Sequence, residues 1–160
     1  MTTADAAPPV RHASWFLLAA AAIAVFAADL ATKVLVRDRI APGDAVGVIS
    51  GVALVHVTNR GIAFGLFPDR QRIVAVATAI VLCGVAVVLL RASHRSRGAM
   101  VAAGALVGGA MGNLIDRLFR DGVTDFIDIW RWPPFNIADI VVVLGAAVLA
   151  LTLTRPSSSA

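Results

Sequence analysis

Two aspartates, Asp125 and Asp139, stand apart because neither has a cation at helical spacing. Asp125 lies in Val123-Thr124-Asp125-Phe126, which reads as a loop, and Asp139 follows Phe135-Asn136-Ile137-Ala138 in the first turn of a helix. Two carboxylates brought within about 3 to 5 Å cannot both ionise easily, so they share a proton near neutral pH. One then serves as base and the other as acid. Toward a peptide bond, the ionised member draws a proton from water while the protonated member polarises the carbonyl oxygen and steadies the tetrahedral intermediate. Spacing alone does not bring the two together, and a solvated position is the ordinary fate of loop aspartates. Asp121 and Asp128 are read in that way, as facing solvent.

Other polar residues sit at the ends of apolar stretches. A charge there costs roughly 2.5 to 3.5 kcal/mol on insertion scales and persists where it faces protein or a wet cavity. Asp29 and Lys33 are four residues apart on one helix face and read as an ion pair that neutralises both charges. Asn113, Asp116 and Arg117 lie one turn apart at the end of another helix. They read as a hydrogen-bonded network fastening that helix to the segment 37–72. Asn136 and Asp139 open the last helix. Gly104, Gly108 and Gly112 repeat every four residues, the small-residue pattern that lets helices approach closely. This stripe is packing, not a phosphate loop.

The elements that must position these groups are apolar spans. Of 160 residues, 59% are hydrophobic and 15% charged, with a mean hydropathy of +0.84, which excludes an ordinary soluble globule. The pattern predicts four membrane-crossing helices, at Trp15–Val36, Ile73–Leu90, Gly98–Ile115 and Ile137–Thr154, in one membrane domain spanning residues 1–160. Met1–Ala13 and Arg155–Ala160 read as unstructured tails. The segment 37–72 is too long for a turn. Its Val/Ile/Ala-rich stretch Val46–Val57, preceded by Pro42-Gly43-Asp44, predicts one or two strands in a small sheet at the membrane surface. The connection Arg117–Asn136 carries Trp130 and Trp132, which suit the membrane interface. Alternating direction through four spans brings the polar helix ends to the face that also carries the segment 37–72. Arg11, Arg91, Arg95, Arg97 and Arg155 share the side of the termini and are outnumbered by the cations opposite; a positive-inside count would place the termini outside, although the aspartates concentrate on that opposite side.

Other chemistries fit poorly. The single cysteine, Cys83, supports neither a disulfide framework nor a zinc-thiolate site. His12, His56 and His94 are dispersed, so a zinc peptidase is not expected. Nothing sets Ser50 beside the only lysine, Lys33, as a nucleophile pair. The sequence pI near 11 invites a nucleic-acid partner, but the arginines are scattered between apolar spans. A cleaved signal peptide, with Arg11 as its charged end and Ala27-Ala28 as its cleavage site, is disfavoured because the apolar run continues beyond it. A small carrier or proton-relay subunit with interfacial aspartates is the competing function, but such a protein does not require the segment 37–72.

Five blocks taken in order resemble one family. Asp29-Leu30-Ala31-Thr32-Lys33, Asn59-Arg60-Gly61-Ile62-Ala63-Phe64-Gly65, Gly112-Asn113-Leu114-Ile115-Asp116-Arg117, Val123-Thr124-Asp125-Phe126 and Phe135-Asn136-Ile137-Ala138-Asp139 are similar to the motifs of lipoprotein signal peptidase, or signal peptidase II. That family comprises aspartic peptidases of the bacterial inner membrane. The resemblance covers the chain from about Trp15 to Leu153 and implies a catalytic pair, Asp125 and Asp139. It implies that Asn59, Asn113, Arg117 and Asn136 line or brace the site and that Asp29 and Lys33 support it, with Asp116 beside them in the network. It further implies cleavage of diacylglyceryl-modified prolipoproteins before the lipid-bearing cysteine, inhibition by globomycin, cytoplasmic termini and an extracytoplasmic insert, against the arginine count. No cofactor or metal is expected, the partners being lipid-modified substrates and membrane lipids, with the enzyme a monomer. Leu30 stands where the family usually has Gln, which touches no catalytic position.

Overall fold

The computed structural model describes residues 10–61, 76, 78, 80, 82, 96–120 and 122–154. Its elements are helix α1 (Val10–Arg39), strands β1 (Ala45–Ile49) and β2 (Val52–Asn59), helix α2 (Arg97–Phe119), strands β3 (Val123–Ile129) and β4 (Trp132–Phe135), and helix α3 (Ile137–Thr154). Two helices are long and apolar enough to cross a membrane, over Ser14–Arg39 and Arg97–Phe119. The helix expected at Gly98–Ile115 continues to Phe119, and the one expected at Ile137–Thr154 has those bounds. The span expected at Ile73–Leu90 lies outside the described residues, apart from residues 76, 78, 80 and 82, which are helical. Cys83, Asp121 and the Arg91–Arg95 stretch also lie outside them.

Alpha1 runs past the expected Val36 to Arg39, and Arg37 and Arg39 in its last turn suit the negative end of the helix dipole. Ser96 caps α2, its hydroxyl accepting from the Ala99 N–H at 3.1 Å. The glycine stripe brings α2 against α1 at backbone distance. A Cβ on Gly104 would collide with the Leu18 carbonyl oxygen, and one on Gly108 with that of Ala22. Alpha3 approaches the opposite side of α2. There a Cβ on Gly145 would stand 2.9 Å from the Ala102 carbonyl oxygen. Apolar side chains point outward along these helices, among them Phe16 (72% exposed), Val143 (68%) and Leu151 (64%), as in a protein whose solvent is hydrocarbon.

The sheet is antiparallel, in the order β1-β2-β3-β4. Pro42-Gly43 turns the chain out of α1, Gly43 adopting φ +87°, and Gly43 N–H donates to the His56 carbonyl at 2.9 Å. The strands expected within Val46–Val57 are thus a hairpin. The other half of the sheet was not expected: Arg117–Asn136, read as a loop, supplies β3 and β4. Asp125 accordingly stands on a strand, opposite Val57, and Asp128 is half-buried rather than fully solvated. The sheet meets the helices through Phe126, which packs with Val36 and Ile40 at the end of α1. His56 adds a polar tether, Nδ1 bonding to the Ile40 carbonyl at 2.8 Å.

Candidate active site

Asn59, Asp125, Asn136 and Asp139 sit where a regular element ends or pairs. Asp125 is the third residue of β3 and is 2% exposed. Pairing of Asn59 with Val123 and of Val57 with Asp125 puts Asn59 diagonally across from Asp125 on one face of the sheet. Asn59 Nδ2 therefore donates to Asp125 Oδ2 at 2.9 Å, while its Oδ1 accepts from Gly61 N–H at 2.9 Å. Asn136 precedes α3 and Asp139 lies in its first turn. Their side chains cap each other's backbone: Asn136 Oδ1 accepts from Asp139 N–H at 3.0 Å, and Asp139 Oδ2 accepts from Asn136 N–H at 3.3 Å.

Asn136 then joins the two carboxylates. Its Nδ2 donates to Asp125 Oδ1 at 2.6 Å and to Asn113 Oδ1 at 3.2 Å, and Asn113 Nδ2 donates to Asp139 Oδ1 at 2.8 Å. Both aspartates line one cavity of about 520 Å³. Its polar wall is Asn59, Arg117, Asp125 and Asp139, and its apolar wall includes Trp132, Phe135, Ile140 and Val143. Burial pushes the Asp125 carboxyl up to about 6; the donor from Asn59 opposes that, and the nearby Asp139 charge adds to it. Arg117 supplies positive charge to this wall and is held by a bond from Nη1 to the Asn113 carbonyl at 3.3 Å.

Beneath the cavity lies a buried ionic cluster. Lys33 Nζ meets Asp29 Oδ2 at 2.7 Å, Asp116 Oδ2 at 3.2 Å and Asn113 Oδ1 at 2.8 Å. Asp29 Oδ1 accepts from Ala138 N–H at 3.1 Å, adding a partner at the start of α3. The expected Asp29–Lys33 pair is present, but it belongs to a larger group. The network of Asn113 and Asp116 reaches α1, β3 and α3, Asp116 Oδ2 accepting from Thr124 N–H at 3.4 Å, and its described contact with the segment 37–72 is through Arg37. Arg37, not singled out from the sequence, joins it by donating to Thr124 Oγ1 at 2.9 Å and facing Asp116 at 3.7 Å. The signal was available, since Asp29, Lys33 and Arg37 recur every four residues on one helix face. Among the described residues no group of His, Cys, Asp and Glu is placed to hold a metal ion.

The family profile described as "Signal peptidase (SPase) II" matches residues 21–155. The chain belongs to this family. A lipoprotein signal peptidase of Serratia marcescens is 42% identical over 127 residues, covering 75% of this chain and 74% of that protein. One of Halothermothrix orenii is 39% identical over 129 residues, covering 78% of this chain and 86% of that protein. A solved structure described as "Bacterial membrane enzyme structure by the in meso method at 2.3 A resolution" superposes with a TM-score of 0.81 at 27% identity, covering 92% of each chain. Membership makes the protein an aspartic peptidase of the signal peptidase II type and a bacterial membrane enzyme, mainly helical, with two apolar spans and a four-stranded antiparallel sheet among the described residues.

Proposed function

We propose that the enzyme removes the signal peptide from diacylglyceryl-modified prolipoproteins, cleaving before the lipid-bearing cysteine with Asp125 and Asp139 as its catalytic pair. The observation that carries this reading is the shared asparagine: Asn136 donates to the Asp125 carboxylate through its side-chain NH2 and to the Asp139 carboxylate through its backbone N–H, and both carboxylates border one cavity. Asp125, raised to about 6 by burial, holds the proton and polarises the scissile carbonyl. Asp139, in the first turn of α3 and receiving Asn113 Nδ2 and the Asn136 backbone N–H, acts as the base. It takes a proton from water, and the oxygen so freed attacks the carbonyl carbon as Asp125 protonates the carbonyl oxygen. Collapse of the intermediate breaks the C–N bond, the leaving nitrogen takes the proton held on Asp139, and Asp125 recovers its own.

The family resemblance adds a four-span topology in one domain over residues 1–160, cytoplasmic termini, an extracytoplasmic insert at 37–72 and action as a monomer. Asn59, Asn113, Arg117 and Asn136 brace the pair, and Asp29, Lys33 and Asp116 support them from below. Asp125→Asn and Asp139→Asn should each reduce cleavage of a lipid-modified precursor at least about 100-fold while the protein still inserts. Turnover retained in either variant would remove the pair.

A further inference from the structure

Asparagine oxygen and nitrogen have nearly the same shape, so the way an amide faces is decided by its neighbours. In this site two amides must face correctly. The Asn136 amide is set by a fixed backbone donor, because its Oδ1 accepts from Asp139 N–H at 3.0 Å. Among the described residues the Asn113 amide has no backbone partner of that kind. Its Oδ1 accepts from Lys33 Nζ at 2.8 Å and from Asn136 Nδ2 at 3.2 Å, leaving Nδ2 for Asp139 Oδ1 at 2.8 Å.

Lys33 is suited to that choice because an ammonium donates three hydrogen bonds and accepts none. Were the Asn113 amide reversed, its NH2 would face the ammonium and the NH2 of Asn136, and its carbonyl oxygen would face the Asp139 carboxylate. Donor would meet donor and acceptor would meet acceptor. The ammonium itself cannot turn away: Asp29 and Asp116 take its other two donors, and the side chain is 1% exposed. The bare backbone of Gly112 admits this arrangement, since a Cβ there would collide with Asp29 Oδ2.

We propose that Lys33 is a positioning residue that acts through Asn113, orienting its amide so that the NH2 group holds Asp139 Oδ1. This rests on Asp139 being catalytic and gives the Asp29–Lys33 pair a task beyond neutralising charge. A buried pair needed only for neutrality can be replaced by two neutral side chains without effect on the reaction. A pair that orients an amide cannot.

The test uses the full-length enzyme in detergent micelles with the double substitution Asp29→Asn and Lys33→Met. It leaves the net charge unchanged and keeps an oxygen at position 29 for Ala138 N–H. Asn59, Asn113 and Asn136 are the only asparagines of the unsubstituted enzyme and the double variant adds a fourth at position 29, so with ¹⁵N-asparagine labelling the Asn113 signal is assigned in each background by its loss when Asn113→Ala is added. The expected result is a shifted or doubled Asn113 side-chain signal together with a kcat lower by about tenfold or more and a KM within about twofold. An unchanged Asn113 signal, or an unchanged kcat, overturns the proposal. If the double variant does not fold, the unsubstituted enzyme decides: a doubled Asn113 signal, showing both orientations populated, overturns it, and a single set supports it. Failure of the catalytic pair is distinguishable, because it would appear as turnover in Asp139→Asn, which this proposal's own failure leaves inactive.

Discussion

Asn136 and Asp139 cap each other across the first turn of α3, with bonds of 3.0 and 3.3 Å running in opposite directions between side chain and backbone. One feature thus starts the helix and orients a carboxylate at the cavity.

The two roles separate by substitution. Asn136→Ser keeps a capping oxygen but cannot reach Asp125, so thermal stability should change little while kcat falls by about 2- to 10-fold, the worth of a hydrogen bond to an uncharged carboxyl. Asn136→Ala should lose the same activity and about 1 kcal/mol of stability as well. Melting and turnover measured on both variants check this; equal melting losses would show that the serine does not cap.

The pH profile follows from Asp125. Its carboxyl is raised from 3.8 to about 6, and in the proposed mechanism the protonated form is the one that assists the carbonyl. Activity should therefore be lost as pH rises through about 6 in kcat/KM, which reports the free enzyme. Asn59 donates to the ionised form and so opposes the rise. Asn59→Ala should move that alkaline limb upward, by about one pH unit. A limb that stays in place, or moves down, would contradict the assignment.

Helix packing yields a third test. Gly108→Ala puts a methyl group against the Ala22 carbonyl of α1 and should cost about 1 to 3 kcal/mol. Gly98, whose Cβ would have only Ser96 Oγ near it, at 4.0 Å, should accept alanine and gain up to about 1 kcal/mol of helix stability. Thermal unfolding of the purified proteins gives both signs.

Chelation separates this chemistry from a zinc peptidase. Cleavage of a lipid-modified precursor should be unchanged by EDTA if, as proposed, Asp125 and Asp139 activate water without an ion. Activity lost to EDTA and restored by zinc would refute it.

Helices α1, α2 and α3 and the polar residues on them were legible because apolar spans and charges within them leave strong signals. Strand β3 was not. Val123–Ile129 contains two aspartates and buries four successive residues, Val123 to Phe126, so it lacks the alternation that marks a half-buried strand. It becomes a strand by pairing with β2, which lies far earlier in the sequence. The asparagine contacts were equally hidden, because an amide's partners depend on how helices pack. The reciprocal cap was the exception. Asn136 and Asp139 have the three-residue spacing of a capping box, readable from the sequence alone.

Ile140, Val143 and Leu144 border the cavity and are also exposed on the outward side of α3. For the substrate proposed, a greasy reagent would thus reach the carboxylates by travelling within the bilayer, a search in two dimensions. Its supply is governed by mole fraction among lipids, so adding inert amphiphile slows encounter even when bulk molarity is held constant.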